Sequence, residues 1–276
     1  MLICTDFSES AQHAAQYGCI LARQYGLRHI TLLHAYQTYI PALAMPVTPY
    51  EATITTTLED DAIAQLKKTE QQLIQVAGPD ISISTRAEDI SLDESINKII
   101  REENSDIVIM GISGRSGLEK IFIGSDTLNI FQHSHIPVLA VPAKILIEPV
   151  KSVLVACDLK NINETIPVNV LIEVLELFKV PVTVLNVDHH EQRSPDTPLE
   201  IFRLHEVFDK YKPRYAFTTN KDIPAGILDY AESNLISLII VIPKNYNFFG
   251  KLFHKSTTKE LFYHSSIPVL SLPALG

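Results

Sequence analysis

Ten residues from the middle of the chain return close to its end. His133-Ser-His-Ile-Pro-Val-Leu-Ala-Val-Pro142 and His264-Ser-Ser-Ile-Pro-Val-Leu-Ser-Leu-Pro273 align at an offset of 131 residues. A duplication of this kind restricts the chain to two copies of one supersecondary plan. Its 276 residues exceed what one modest core organises, so two domains of roughly 100 to 150 residues are expected. The boundary is expected between Ile147 and Lys151, where Glu148-Pro149 separates one copy's last strand from the next copy's first. That gives domains 1–147 and 148–276.

The plan within each copy follows from hydrophobic periodicity. Met1-Leu-Ile-Cys-Thr-Asp6 is a short apolar run ending in an acid, and Ser8 stands as a helix N-cap. Ala11, Ala14, Ala15, Gly18, Leu21 and Ala22 then recur at helical spacing until Gly26. Strands are expected at Ile30–Ala35, Ile81–Ala87, Asp106–Met110 and Pro137–Pro142. Between them, helices are expected from about Leu58 to Ala77, from the Ser91-Leu-Asp-Glu94 capping box onward, and from about Ser125 to His133. Pro41, Pro46 and Pro49 mark a loop before the second helix. The second half repeats the order. It opens on Ser152-Val-Leu-Val-Ala-Cys-Asp158, another apolar strand ending in an acid. Apolar strands alternating with amphipathic helices predict α/β domains with parallel, doubly wound sheets.

Composition narrows the function classes. A formal net charge of −9 gives no general attraction to phosphate backbones or anionic lipid, so neither nucleic acid nor membrane is an expected partner. Cys4, Cys19 and Cys157 are too few for a disulfide framework or a Cys-x-x-Cys metal site, and a reducing compartment fits. Apolar runs fall short of the roughly 20 residues that span a bilayer, and Asp6 and Glu9 interrupt any signal-peptide pattern. A soluble, cytoplasmic protein is expected. His133/His135 and His189/His190 invite a metal reading, but no Cys or acid completes a ligand set near His133 and His135, and no metal site is expected.

One segment carries chemistry. Gly111-Ile-Ser-Gly114-Arg-Ser-Gly117-Leu-Glu-Lys-Ile-Phe-Ile-Gly124-Ser125 lies between the fourth strand and the following helix. Its glycines let backbone amides approach an anion. Gly124-Ser125 opens a helix, where free amides favour negative charge. Arg115 and the hydroxyls of Ser116, Ser125 and Thr127 add donors. The spacing fits neither a P-loop nor a dinucleotide-binding turn. If the fourth strand lies beside the first, Asp6 faces the same crevice.

The Gly-x2-Gly-x9-Gly-Ser spacing, the acid after the first strand and the closing Pro-Val-Leu-Ala-Val-Pro strand together resemble the universal stress protein family. The resemblance covers the whole chain as a tandem two-domain member and is strongest in the first half. It implies two Rossmann-like, adenine nucleotide alpha hydrolase-like domains with five-stranded parallel sheets, the fifth strands pairing in an intramolecular pseudo-dimer. A homodimer of tandem chains stays open. It also implies ATP as ligand, with or without Mg²⁺. Members that bind ATP would place the adenosine at Cys4, Thr5, Asp6 and Ala35, the ribose side at Met110 and Gly111, and the phosphates at Gly114, Arg115, Ser116, Gly124, Ser125 and Thr127. Asp126 stands where an apolar residue is common; its charge would either weaken phosphate binding or help hold Mg²⁺.

At the offset of 131, Ile242, Asn245 and Lys255 replace Gly111, Gly114 and Gly124, while Ser256 keeps the type of Ser125. One nucleotide site per chain is therefore expected. The favoured function is a nucleotide-dependent stress-response module that reports to an unidentified protein partner. A slow ATP hydrolase or nucleotide-transfer enzyme, and a nucleotide-free scaffold, are the alternatives. Asp6 and Asp126 are the acids nominated for any phosphoryl chemistry.

Overall fold

The structure, a computed structural model, describes residues 1–38, 49–112, 130–131, 134–160, 162–188, 197–243 and 255–273. They fall into two compact units, Met1–Gly111 and Ile112–Gly276.

The first unit runs β1 (Leu2–Cys4), α1 (Glu9–Tyr25), β2 (His29–Ala35), α2 (Pro49–Ala77), β3 (Ser82–Glu88), α3 (Leu92–Glu103) and β4 (Val108–Ile112). Its sheet has the order β3-β2-β1-β4, with every pairing parallel. Leu2, Ile3, Leu32, Leu33, Val108 and Ile109 are fully buried, as central strands covered on both faces require. β4 does lie beside β1, in the register Leu2↔Val108 and Ile3↔Ile109. The order of strands reverses there, so the crevice beyond their carboxyl ends is the unit's topological switch point.

Local signals explain the element ends. Ser8 Oγ accepts the Ala11 amide at 3.2 Å and starts α1, and Gly26 stops it in the left-handed region at φ 67°. The capping box of α3 is complete. Ser91 Oγ accepts the Glu94 amide at 3.3 Å, and Glu94 Oε2 accepts the Ser91 amide at 3.4 Å. α2 departs from the sequence reading by starting at Pro49, nine residues before Leu58. Proline fits a first helical turn because its missing N–H has no partner there anyway. Pro41 and Pro46 lie outside the described residues.

An ion-pair network fastens the edge strand β3 to α3. Arg86 reaches Glu88 at 2.8 Å, Glu102 at 2.8 Å and Glu103 at 3.2 Å, while Lys98 reaches Glu88 at 2.7 Å. Burial disfavours the Glu88 charge, but hydrogen bonds from Lys98 and Arg86 outweigh it and hold the carboxyl below the usual glutamate range. A depressed folded pKa stabilises the fold above the ordinary value of 4.5, and this contribution is lost as pH falls through the lower folded value. Glu88→Gln should therefore cost about 1–2 kcal/mol at neutral pH and flatten the acid side of the stability profile. Urea midpoints measured from pH 7 to pH 3 test this, and an acid limb unchanged in the variant would refute the assignment.

The second unit runs β5 (Val138–Pro142), β6 (Val153–Ala156), α4 (Ile162–Thr165), α5 (Val168–Phe178), β7 (Val182–Asp188), α6 (Thr197–Phe208), a 3-10 turn (Asp209–Tyr211), β8 (Arg214–Thr219), α7 (Ile223–Ser233), β9 (Leu238–Val241), α8 (Lys255–His264) and β10 (Val269–Ser271). The strand order is β5-β10-β9-β6-β7-β8, parallel except that β5 and β10 pair antiparallel.

The expected pairing of the two fifth strands is thus present, and its register is self-complementary. Leu139 faces its own repeat equivalent Leu270, while Val138 faces Ser271 and Ala140 faces Val269. Each copy presents the same positions to the other, as in a two-fold interface. The duplication extends to hydrogen bonds. Ser134 Oγ donates to the Ile136 carbonyl at 2.8 Å and accepts the Ile136 amide at 3.2 Å. Ser265 Oγ does the same with Ile267, at 2.5 and 3.0 Å. Among the described residues no helix is long and apolar enough to cross a membrane.

Candidate functional site

The switch-point crevice of the first unit is built by one tight turn. Thr5 continues β1, its amide donating to the Leu33 carbonyl at 2.8 Å. Phe7 then takes a left-handed conformation at φ 64°, rare for a residue with a bulky side chain. Three local hydrogen bonds hold it. The Phe7 amide donates to Thr5 Oγ1 at 3.0 Å, and Asp6 Oδ1 accepts the Ser8 amide at 3.0 Å and the Ser8 hydroxyl at 2.5 Å. Asp6 is exposed, and its Oδ2 takes no hydrogen bond from the described residues.

His34 closes the side of the turn that faces β2. Its Nδ1 lies 2.8 Å from the Thr5 carbonyl oxygen, which can only accept, so Nδ1 is the donor in this contact. Its ring lies 4.3 Å from that of Phe7, tilted by 36°. Neither Phe7 nor His34 was singled out by sequence. Positive φ at Phe7 leaves no trace in residue type, whereas His34 could have been found as the neighbour of Ala35 at the strand end.

The predicted residues divide in two. Cys4 ends β1 and Thr5 and Asp6 follow it, Ala35 ends β2, and Met110 and Gly111 belong to the adjacent β4. Six expected adenosine and ribose positions thus lie at the carboxyl ends of three neighbouring strands of one unit. Gly114, Arg115, Ser116, Gly124, Ser125 and Thr127 lie outside the described residues, as does Asp126.

Cys4 is buried, and burial pushes its thiol up to about 12, which leaves it protonated and unreactive at neutral pH. Gly111 has a packing role. A Cβ on it would stand 2.4 Å from the Ser10 carbonyl oxygen and 2.8 Å from the Ala11 nitrogen, so β4 passes directly against the first turn of α1. Among the described residues no three His, Cys, Asp or Glu side chains gather closely enough to hold a metal ion. His133, His189 and His190 lie outside them.

The second unit repeats the turn after β6 with different chemistry. Leu159 takes the place of Phe7 at φ 52°, its amide donating to Cys157 Sγ at 3.3 Å. Asp158 Oδ1 accepts the Lys160 amide at 3.2 Å, and Asn186 Nδ2 donates to the Cys157 carbonyl at 3.0 Å, as His34 does to Thr5. Two stretches of the chain have folded the same strand-end turn with thiol for hydroxyl and amide for imidazole.

Comparison with known proteins agrees with this geometry. The model of the universal stress protein family matches residues 1–142, just over half of the chain. The chain belongs to the universal stress protein family. The matched segment takes in β1 to β5.

Among curated relatives, universal stress protein Slr1101 of Synechocystis is 34% identical over 88 residues, covering 31% of this chain and 77% of that protein. Universal stress protein MJ0577 of Methanocaldococcus jannaschii is 27% identical over 160 residues, covering 52% of this chain and 94% of its own length. A relative of that size therefore corresponds to about one half of this chain. A solved universal stress protein from Archaeoglobus fulgidus covers 99% of this chain and 97% of its own, with a TM-score of 0.71 at 17% identity. At that identity the likeness speaks for the fold, and it extends over both repeats.

Proposed function

We propose that the protein binds ATP in the crevice at the carboxyl ends of β1 and β4 and acts as a nucleotide-dependent module of the stress response. The observation that carries this reading is the turn after β1. It presents an exposed Asp6 with one carboxylate oxygen uncommitted among the described residues, at a switch point where α/β sheets take ligands.

Cys4, Thr5, Asp6 and Ala35 would flank the adenosine and Met110 and Gly111 the ribose. Gly114, Arg115, Ser116, Gly124, Ser125 and Thr127 supply the amide, guanidinium and hydroxyl donors that a triphosphate needs. ATP brings the charge whose binding changes the protein's state, and a protein partner reads that state. The repeats are taken as 1–147 and 148–276. In the second, a lysine at Lys255 occupies the position of Gly124, where close backbone approach is required, so stoichiometry should be one nucleotide per chain.

Calorimetric titration of the full chain with ATP and AMP, with and without Mg²⁺, tests the reading. The third probe is cAMP, the ligand in a solved complex of another universal stress protein. Gly114→Val should weaken ATP at least about tenfold, and Asp6→Ala by a similar factor, the equivalent of about 1.4 kcal/mol. Equal affinities in wild type and both variants, or no saturable binding at millimolar ATP, would overturn it.

A further inference from the structure

The amino ends of the second unit's strands carry an open cleft of about 480 Å³. Ser152 before β6, Pro181 to Thr183 at the start of β7, Arg214 at the start of β8, and Asn234 and Ile236 before β9 contribute to its wall. Ligands of parallel sheets usually lie at the opposite, carboxyl ends. The cleft is therefore separate from any switch-point crevice.

Its charge is unlike that of the chain as a whole. Lys212 and Arg214 line it, both exposed, and neither forms an ion pair with a described residue. Acids stand close by but are engaged. Glu176 pairs with Lys210 and accepts the Tyr211 hydroxyl at 2.9 Å. Asp209 faces His205 Nδ1 at 3.4 Å, and Glu232 accepts the Ser266 hydroxyl at 2.6 Å. Lys179, exposed and two residues before Pro181, adds a third cation beside the rim. In a protein of net charge −9, cations without an ion-pair partner among the described residues make this rim an anion attractor.

Neutral donors sort the same way. The Ser152 hydroxyl donates to the Leu235 carbonyl at 3.2 Å, and Asn234 Nδ2 donates one of its two hydrogens to the Tyr230 carbonyl at 2.9 Å. The Thr183 hydroxyl makes no hydrogen bond with a described residue. Ammonium, guanidinium and hydroxyl donors thus share one concave surface, with Val182 and Ile236 as its apolar part. The volume falls within the range of small-molecule sites, about 300–1,000 Å³, and exceeds what a single phosphate fills.

We propose that this cleft binds a small anion of the pyrophosphate or phosphorylated-metabolite class, held by Lys212, Arg214 and Thr183. Arg214 is suited to two oxygens of one phosphoryl group, and Lys212 to a second group beside it. The site is independent of the ATP reading.

The test is a titration of the ¹⁵N-labelled full chain with pyrophosphate at 150 mM salt, with ATP already at saturating concentration. Amides of Thr183, Arg214, Asn234 and Ile236 should shift and saturate. Lys212→Gln/Arg214→Gln, at two exposed positions, should keep the wild-type thermal unfolding and weaken the titration at least tenfold. Identical titrations of wild type and variant, or shifts confined to residues away from the cleft, would overturn the proposal. A parallel titration with citrate separates phosphate from carboxylate, and equal affinity for citrate would overturn the phosphate assignment. If the chain does not bind ATP, pyrophosphate is titrated alone. The variant still decides the outcome.

Discussion

Gly111→Ala should destabilise the protein by about 3 kcal/mol, although strand propensity by itself predicts a gain of about 0.5–1 kcal/mol from the same change. The two effects have opposite signs, so the measurement separates them cleanly. The added methyl would stand 2.4 Å from the Ser10 carbonyl oxygen, 2.6 Å from its carbon and 2.8 Å from the Ala11 nitrogen. All three are backbone atoms at the start of α1, where no side chain can rotate aside. Relief requires α1 to lift from β4, and α1 is also seated on β1, where Gly18 leaves room for Ile3. Urea unfolding with an unchanged slope and a lower midpoint is the expected result. A midpoint equal to or above that of wild type would mean that helix and strand do not approach this closely. The same contact is why ligand binding is better tested at Gly114 and Asp6. Any affinity lost at Gly111 would mix packing with recognition.

Much of the fold was legible because burial on both faces writes continuous apolar strands and one-sided helices into the sequence. Leu2, Ile3, Ile30, Leu32, Val108 and Ile109 read as strand and are buried strand. Caps were equally plain, since Ser91, Glu94 and Gly26 have types that suit those positions alone. The start of α2 was misplaced because Pro49 and the β-branched run Thr53 to Thr57 read as loop, while a helix tolerates proline in its first turn.

The candidate site was less legible. Asp6 followed from topology, and Cys4, Thr5, Ala35, Met110 and Gly111 from the family resemblance, but the left-handed Phe7 and the His34 contact depend on dihedral and register, which residue types do not encode. The repeat hid as much as it showed. His133 to Pro142 matches at an offset of 131, yet the matching turns at Asp6 and Asp158 are 152 apart. A comparison at one offset could not have paired Thr5 with Cys157 or His34 with Asn186.

Truncating the aromatic pair that precedes the duplicated strands should cost the second unit most. Phe131 and Phe262 are repeat equivalents, 131 residues apart, and their rings meet at 4.1 Å with a tilt of 31°. They are 2% and 1% exposed, and the strands that follow them pair through Leu139 and Leu270. Either phenylalanine replaced by alanine should lose about 3–5 kcal/mol, the usual cost of emptying a buried ring site.

The two losses should not add. Each single truncation leaves a space lined by the surviving ring, and the second truncation removes a ring that has already lost its partner. The double variant should therefore fall short of the summed losses by about 1 kcal/mol, the range of a close aromatic pair. The Ser271 hydroxyl donates to the Phe131 carbonyl at 3.0 Å, whereas Ala140, its repeat equivalent, has no donor for Phe262. The backbone at Phe131 is thus pinned and should relax less, making Phe131→Ala the costlier single change. With no tryptophan in the chain, urea unfolding followed by far-ultraviolet circular dichroism is the suitable measurement. Losses that add within about 0.5 kcal/mol would mean that each ring fills a separate pocket and that the two rings do not stabilise one another.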